Sequence, residues 1–349
     1  MSQNASHTLL DLSHSPTISM TTGKWRRVAA PALQRSSHSL NVVGGKAYIF
    51  GGELESRTPV DNAMHVVNLA TGDYEKIEAD GAPPLRVGHA AAAIGRSIFL
   101  FGGRGGPAME PLEEQGAVYE FDTAARSWRK HTPSGAYPCA RSYHCAAGTP
   151  DKIVVHAGCG SGPRLSDAWA FVPSASEWTQ LPDAPRAGRG GATLCSEGGA
   201  LWRFGGFNGV TELGGAIDTF SKDAWASARF GEEVGLSRDA AATLQQSKGT
   251  GPGPRSVAGM HAVGERLVVV MGEGKPSITG GHEAAGNFWD DVWTYTPSSG
   301  EWAEVAIEGE KPNARGWFAS DSTADGVVVH GGLDDSNTRL SDLWVLRLE

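Results

Sequence analysis

The sequence lacks the features that mark several common classes of protein. Its 349 residues include only four cysteines, without paired metal-ligand spacing, and no apolar run approaches the length of a membrane span. The 30 basic and 39 acidic residues leave a net charge of −9 and form no basic stripe, which argues against nucleic acid or a membrane as partner. The polar N-terminus has no apolar core of the kind that a signal peptide needs. We therefore expect a cytoplasmic protein with reduced thiols.

The motifs of several large enzyme classes are also missing. The sequence contains no phosphate loop, no dinucleotide-binding fingerprint, no nucleophile elbow and no His-Glu-x-x-His zinc motif. These absences argue against nucleotide-dependent transfer, hydride transfer by a bound dinucleotide and zinc-dependent hydrolysis. They favour a function that needs few catalytic side chains.

Glycine is abundant, and it recurs in a regular setting. The 47 glycines are about twice the ordinary share. Six times, a β-branched or aromatic run ends in a glycine pair or its remnant: Phe50-Gly51-Gly52, Phe101-Gly102-Gly103, Ala157-Gly158, Phe204-Gly205-Gly206, Met271-Gly272-Glu273 and His330-Gly331-Gly332. The steps of 51, 56, 47, 67 and 59 residues are close to the period of a four-stranded propeller blade. We predict an all-β fold, a six-bladed β-propeller over residues 23–349, preceded by a flexible arm of residues 1–22.

The two ends of the chain are predicted to meet in the last blade. The sixth repeat stops at Glu349 without an outer strand, whereas the segment from Lys24 to Val28 carries a tryptophan, as most of the other predicted outer strands do. An unpaired sheet edge is a site for unwanted pairing with other chains. We therefore expect the N-terminal strand to close the ring on the C-terminal blade.

An arginine stands near the start of each predicted blade: Arg35, Arg86, Arg141, Arg186, Arg255 and Arg315. Because neighbouring strands are antiparallel, these positions share one face of the propeller with the loops after the glycine pairs. Six guanidinium groups at one channel mouth repel one another unless carboxylates, backbone carbonyls or a ligand answer them. We predict that they bind a small-molecule substrate that is anionic or carries a carbonyl group. The alternative is that several of them pair with Asp or Glu of the next blade and merely hold the ring together.

Aromatic residues near the same face are candidates for an apolar wall of the site. They are Phe207, Trp289, Trp317 and Phe318. Because side chains alternate along a strand, only one of the two adjacent aromatics is expected to face inward. The alternative for each aromatic residue is ordinary packing between neighbouring blades.

The repeats resemble a known family. The glycine pairs, the outer aromatic residues and the two Arg-Ser-x-His segments that begin at Arg35 and Arg141 resemble kelch repeats, from about Trp25 to the end of the chain. The segments Gly272-Glu273-Gly274-Lys275-Pro276-Ser277 and Gly281-His282-Glu283-Ala284-Ala285-Gly286-Asn287-Phe288-Trp289-Asp290-Asp291-Val292-Trp293 resemble the fifth-blade loop of nitrile-specifier, epithiospecifier and thiocyanate-forming proteins and their fungal relatives.

This resemblance implies an activity and a set of ligands. The named proteins act on the unstable aglucone released from glucosinolates, with ferrous iron held by a Glu, an Asp and a His at four-residue steps. Arginines on their second and third blades are thought to hold the substrate's sulfate, and the matching positions here are Arg86 and Arg141.

The sequence departs from the iron-binding pattern. Counting from Glu273, the four- and eight-residue positions hold Ser277 and Gly281, and the histidine arrives one residue late as His282. Glu273 and His282 are candidates for a proton-transfer pair or for part of an Fe(II) site that lacks its third ligand. The alternative is that both residues only brace a glycine-rich loop, and no cofactor follows with certainty from the sequence.

Two classes of function follow from these patterns. We predict a small-molecule-binding propeller of secondary metabolism that steers a reactive intermediate, as a specifier-like lyase, isomerase or cyclase, by positioning and charge stabilisation. The alternative is a kelch interaction module that binds a protein partner through the same loops without catalysis. The sequence leaves the substrate, the reaction and the oligomeric state open.

Overall fold

Six β-sheets surround a central axis in the computed structural model of the chain, which describes residues 21–231, 245–246, 251–275 and 286–349. Each of these sheets has four or five strands, and the described residues contain no helix. The predicted all-β, six-bladed propeller is confirmed. The predicted arm of residues 1–22 lies almost wholly outside the described residues, so its boundary stays a prediction.

Each blade follows the same strand order from the axis outward. The innermost strands are β2 (Ser39–Val43), β8 (Ala90–Ile94), β14 (Cys145–Gly148), β18 (Thr193–Glu197), β23 (Gly259–Val263) and β28 (Ala319–Thr323). The second strands are β3 (Lys46–Phe50), β9 (Ser97–Phe101), β15 (Ile153–Cys159), β19 (Ala200–Phe204), β24 (Arg266–Lys275) and β29 (Gly326–His330). Consecutive innermost strands contact one another, and β28 contacts β2, so the six blades form a closed ring.

Two further strands complete each blade. The third strands are β6 (Met64–Asn68), β12 (Val118–Asp122), β16 (Arg164–Val172), β20 (Ala216–Ser221), β25 (Asn287–Thr296) and β30 (Leu343–Leu348). The outer strands are β7 (Tyr74–Ile77), β13 (Ser127–His131), β17 (Glu177–Leu181), β21 (Ala224–Arg229), β26 (Glu301–Glu304) and β1 (Thr22–Val28). Short additional strands are β4 (Glu53–Glu55), β5 (Thr58–Pro59), β10 (Arg104–Gly105), β11 (Glu110–Pro111), β22 (Gln245–Gln246) and β27 (Ala306–Glu308).

The hydrophobic core is divided among the blade interfaces. Six clusters of buried apolar side chains occur in the described residues, each formed by two consecutive blades. The second strands bury both faces, which explains their nearly continuous apolar sequences: in β29 all five residues are buried. Burying one large aliphatic side chain contributes about 1.5–3 kcal/mol, so each interface is a substantial source of stability.

The N-terminal strand closes the ring, as predicted. β1 pairs antiparallel with β30, with Trp25 opposite Leu346, and pairs in parallel with β27, the outermost strand of the same sheet. Trp25 is buried in the cluster between the fifth and sixth blades. The last blade therefore contains strands from both ends of the chain.

A membrane-spanning helix would have to be long and apolar along its whole length. Within the part of the chain that the structure describes, no helix meets both conditions.

Candidate functional site

A ring of backbone hydrogen bonds runs around the propeller axis. Each blade contributes one residue with positive φ, between 47° and 62°: Ser37, Gly88, Tyr143, Gly191, Val257 and Trp317. Five bonds of 2.6–2.8 Å join these residues to their neighbours, and the one from Ser37 N to Trp317 O connects the first blade to the last. This conformation is unfavourable for non-glycine residues, above all for a β-branched one such as Val257. Backbone strain is therefore concentrated around the axis.

A second set of positions, one per blade, stands directly beyond this ring. In each blade, this residue stands two positions after the first residue of the glycine pair or of its equivalent. The six residues are Glu53, Arg104, Cys159, Phe207, Glu273 and Leu333. Each forms an isolated β-bridge with the residue just before a positive-φ residue. The backbone therefore repeats six times, whereas the side chains at these positions are acidic, basic, thiol, aromatic and aliphatic. A symmetric fold thus carries an asymmetric site.

A cavity of about 290 Å³ opens above the ring. Its lining has two unlike sides. The apolar side comes from the fourth to sixth blades and contains Phe207, Val257, Trp317 and Leu333. The cationic side comes from the sixth, first, second and third blades and contains Arg339, Arg57, Arg104 and Arg164, together with Val87, Met109 and Tyr143.

One carboxylate stands among these cations. Glu53 is the single acidic side chain in the described cavity lining. Its Oε1 accepts a 3.3 Å hydrogen bond from Arg339 Nη2, and its Oε2 accepts a 2.8 Å bond from the backbone N–H of Arg57. Two of the four guanidinium groups on this side, those of Arg104 and Arg164, have no carboxylate partner in the described residues, so this side of the cavity favours an anionic ligand.

Arg104 and Arg164 are held toward the cavity without a carboxylate partner in the described residues. Arg104 Nε donates a 3.0 Å hydrogen bond to Ser142 Oγ, and Arg104 Cζ lies 5.4 Å from the centroid of the Tyr143 ring. Arg164 Nε is buried and has no hydrogen-bond partner among the described residues. Both arginines therefore keep donors for a ligand.

Cys159 lies between these two arginines but is not an activated nucleophile. A Cβ added at Gly190 would lie 2.9 Å from Cys159 Sγ and 3.8 Å from Arg164 Cδ. A larger residue at position 190 would therefore collide with the thiol, which packs directly against this glycine. Burial raises the pKa of the Cys159 thiol, and the nearby Arg164 and Arg104 only partly oppose this effect. The thiol is therefore neutral at physiological pH.

The arginines that the sequence singled out lie behind the cavity wall. Arg86, Arg141, Arg255 and Arg315 have no exposed surface, and none of the six predicted arginines lines the cavity. Each of the four pairs bidentately with a carboxylate at 2.6–3.0 Å: Arg86 with Glu114, Arg141 with Asp167, Arg255 with Asp291 and Arg315 with Asp342. Arg35 pairs with Asp61 at 3.3 Å. The expectation that these guanidinium groups meet at the channel mouth is wrong, and substrate binding by them stays a prediction.

The carboxylates belong to the same blade as the arginine, not to the next blade. Asp167, for example, is in β16, which pairs with the second strand of the third blade. Burial alone would raise the pKa of Asp167, but the hydrogen bonds and charge of Arg141 outweigh it and lower that pKa. The pair therefore ties the start of a blade to its own third strand.

In the fourth blade, Arg189 occupies the position that the sequence analysis gave to Arg186. In every blade, Nη1 of one arginine donates to the carbonyl oxygen of the residue 16 positions later, and in the fourth blade this bond joins Arg189 to Gly205 at 2.9 Å. Arg186 instead pairs with Asp218. The constant step of 16 residues to the glycine pair is present in the sequence and identifies Arg189.

The predicted aromatic residues separate into three places. Trp317 and Phe207 line the main cavity, whereas Phe318 lines a smaller pocket of about 160 Å³ among the innermost strands. Only one of the adjacent aromatics thus faces the main cavity, as alternation predicts. Trp289 is 37% exposed, lies over the Arg255 guanidinium at 5.0 Å and donates to Pro254 O, outside the cavity lining.

The predicted Glu273 and His282 pair is only half described. Glu273 is fully buried, and its backbone exchanges hydrogen bonds of 2.8 and 3.0 Å with Ser256. His282 lies outside the described residues. Among those that are described, no group of three His, Cys, Asp or Glu side chains is placed to hold a metal. The donor set does not match a Glu-Asp-His iron site, so we derive no step through iron, and the catalytic roles of both residues stay a prediction.

The cavity arginines are absent from the set that the sequence predicted. Arg104 directly follows the glycine pair of the second blade, and Arg57, Arg164 and Arg339 lie in or beside the loops that follow the corresponding positions of other blades. The prediction that these loops share one face with the channel mouth was sufficient to find them. The arginines at the blade starts recur in every repeat, and this regularity directed the prediction to them and away from the four arginines that line the cavity.

Known proteins resemble this chain over most of its length. It is 28% identical over 347 residues to N-(sulfonatooxy)prop-2-enimidothioate sulfolyase of Thlaspi arvense, covering 92% of this chain and 96% of that protein. It is 24% identical over 330 residues to Kelch domain-containing protein 3 of Bos taurus, covering 87% and 78%. It is also 24% identical over 350 residues to the Leucine-zipper-like transcriptional regulator 1 homolog of Drosophila melanogaster, covering 93% of this chain but only 32% of that protein.

A family model gives the assignment. The model of the KLHDC2/KLHL20/DRC7 Kelch-repeats domain matches residues 37–228, which is more than half of the chain. This match agrees with the six blades and with the repeated glycine pairs. The chain belongs to the kelch-repeat family.

Proposed function

We propose that the protein binds a small organic anion in the cavity above the backbone ring and directs the breakdown of a reactive intermediate there. The observation that carries this proposal is the division of the cavity into a cationic and an apolar side. The anionic group of such a ligand pairs with Arg104 and Arg164, and its apolar group packs against Phe207 and Trp317. This arrangement fixes the orientation of the ligand.

The name of the Thlaspi arvense relative supports a class of substrate. A sulfolyase that acts on N-(sulfonatooxy)prop-2-enimidothioate takes an anion with a sulfonatooxy group. When sulfate leaves from nitrogen, the electron pair of the N–O bond departs with the sulfate oxygen, so negative charge grows on the leaving group. The bonding pair of the C–S bond then forms the third C–N bond as sulfur is released, so nitrogen keeps its octet. Guanidinium groups placed in advance stabilise that charge. The step needs no enzyme nucleophile, which agrees with the neutral thiol of Cys159.

The proposal is tested by product analysis and binding. A glucosinolate is hydrolysed by a thioglucosidase with and without the full-length protein, and the products are quantified. We expect the protein to change the product ratio, and phenyl sulfate to bind more tightly than inorganic sulfate or benzyl alcohol. Arg104→Met combined with Arg164→Met removes both effects. The matched control is Arg96→Met, since Arg96 is an exposed arginine paired with Asp122 at 3.0 Å. Wild-type protein that binds no anion and leaves the products unchanged contradicts the proposal.

A second candidate function is binding of a protein partner. Exposed apolar side chains stand in the loops of the same face, with Leu54 46% exposed and Val210 84% exposed. These residues belong to the first and fourth blades, so a partner that contacts both would have to span the ring. If this is the function, Leu54→Ser with Val210→Ser abolishes partner binding, while the double arginine variant retains it.

A further inference from the structure

The fourth blade lacks a carboxylate that the other five blades have. In those blades, the buried arginine at the blade start pairs with Asp61, Glu114, Asp167, Asp291 or Asp342, at or just before the third strand. The strand register places Ala216 of the fourth blade at the position that Asp167 has in the third. The residues before it are Leu213, Gly214 and Gly215. The usual partner is therefore missing from this stretch.

Arg189 is left with few acceptors. It is 3% exposed, and the one hydrogen bond of its side chain in the described residues is the 2.9 Å bond from Nη1 to Gly205 O. Its Nε is sealed from solvent without a partner. Arg141 occupies the same position in the third blade and has five acceptors. They are the carbonyl oxygen and Sγ of Cys139, the carbonyl oxygen of Ala157 and both carboxylate oxygens of Asp167. A buried guanidinium with unused donors is unfavourable unless an anion answers it.

The surroundings of Arg189 are cationic. Arg186 and Arg203 share the carboxylate of Asp218, and the bond from Arg203 Nη2 to Asp218 Oδ2 is 2.6 Å. Burial lowers the pKa of Arg189 to about 9, and the charge of Arg186 contributes. The segment just before Arg189 is partly open to solvent, with Ala187 exposed. An ion from solution thus has a route to Arg189, whose side chain has no carboxylate partner in the described residues.

We propose that the fourth blade binds a small carboxylate ion, such as formate or acetate, that takes the place of the missing aspartate on Arg189. A planar carboxylate matches the two parallel donors of a guanidinium, as the side chains of four other blades show. Glycines at 214 and 215 and the small Ala216 occupy the stretch that carries the acid elsewhere. This site is separate from the cavity cations and does not rest on the proposed function.

Thermal unfolding of the full chain tests the proposal. Sodium formate is titrated to about 100 mM at constant ionic strength, with sodium chloride as the balancing salt. We expect a saturable rise in Tm of roughly 2 °C for the wild type, and no formate dependence for Arg189→Met. Absence of a saturable rise in the wild type, or its persistence in Arg189→Met, overturns the proposal.

Two variants distinguish Arg189 from the cavity as the place where formate binds. Arg104→Met changes a cavity arginine and should keep the formate response; a response lost there but kept in Arg189→Met places the ion in the cavity and overturns the proposal. Ala216→Asp supplies the carboxylate at the position that Asp167 has in the third blade. It should raise Tm without formate and reduce the formate response several-fold. Should Arg189→Met fail to fold, an unchanged response in folded Ala216→Asp still overturns the proposal.

Discussion

Arginines occur in two regions of this propeller, and their partners differ. Behind the cavity wall, Arg86, Arg141, Arg255 and Arg315 are fully buried, and each is matched by one carboxylate of its own blade. At the cavity, the described lining contains four arginines and one acidic side chain, Glu53, which pairs with Arg339. The same type of side chain is a structural tie in the first region and a candidate ligand donor in the second.

The comparison shows that a regular position in a repeat indicates structure more than function. The buried arginines recur at a fixed distance from the glycine pair because each donates to the carbonyl oxygen 16 residues later, and in five blades each also pairs with a carboxylate at or just before the third strand. Arg104 stands at a repeated backbone position where no other blade has an arginine, and Arg57, Arg164 and Arg339 lie in or beside loops of different length. In a symmetric fold, the residues that break the symmetry are the better candidates for binding.

Acidification should have the largest effect, because it acts on several of the buried ties at once. Burial alone would raise the pKa values of Glu114, Asp167 and Asp342, but their arginines lower them below the ordinary values. As pH falls, these carboxylates therefore bind protons in the unfolded chain before they do so in the folded protein. The stability that the pairs contribute is fully present above about pH 4, and it is lost as the pH falls through the pKa values of the folded state.

Buried histidines add to the acid sensitivity with the same sign. Burial lowers the pKa values of His144 and His330 to about 3, below the ordinary 6.5, so stability is lost as pH falls from 6.5 toward 3. We expect Tm to fall by roughly 10 °C or more between about pH 7 and pH 3. The measurement is calorimetry across this range, and a constant Tm throughout would contradict the expected role of the buried ties.

Breaking one buried tie should have the next largest effect. Arg141→Met leaves Asp167 beside the core without its cation, which destabilises the fold by about 3–5 kcal/mol. Denaturant unfolding measures the change, and Arg96→Met, at an exposed ion pair, serves as the control with an expected change under about 1 kcal/mol. If Arg141→Met keeps wild-type stability but loses anion binding, Arg141 belongs with the ligand donors instead.

Changing one cavity arginine should have the smallest effect on stability. Arg164 has no carboxylate partner in the described residues, so Arg164→Met is expected to alter the free energy of unfolding by less than about 1 kcal/mol. Its effect should appear in binding, as a loss of about tenfold in affinity for phenyl sulfate. Calorimetric titration and denaturant unfolding of the same variant give both numbers; a large loss of stability with unchanged affinity would reverse the assignment.

The fold was readable from the sequence because its causes are local and repeated. Glycine pairs at Gly51 and Gly102 and the apolar runs before them recur at the blade period, and Trp25 supplied the outer strand missing from the last blade. These signals depend on backbone conformation and burial, which neighbouring residues largely determine.

The site was harder to predict from the sequence, because it depends on which arginines pair with carboxylates elsewhere in the chain. The sequence shows that Arg86 stands at a blade start, but not that Glu114, 28 residues later, neutralises it. Arg104 and Arg339 are far apart in sequence and meet at one cavity only because the ring closes. Distinguishing a neutralised arginine from an available one required the three-dimensional positions of the carboxylates.

The position of β1 in the last blade has a consequence for synthesis of the protein. Of the paired strands in this sheet, β1 is made before all five other blades and β30 is made after them, so β1 has no partner of its own sheet while those blades are synthesised. Contacts between residues so distant in sequence form slowly. The sixth sheet thus stays incomplete until β30 has been made, and a chain without β30 would leave β1 without its antiparallel partner.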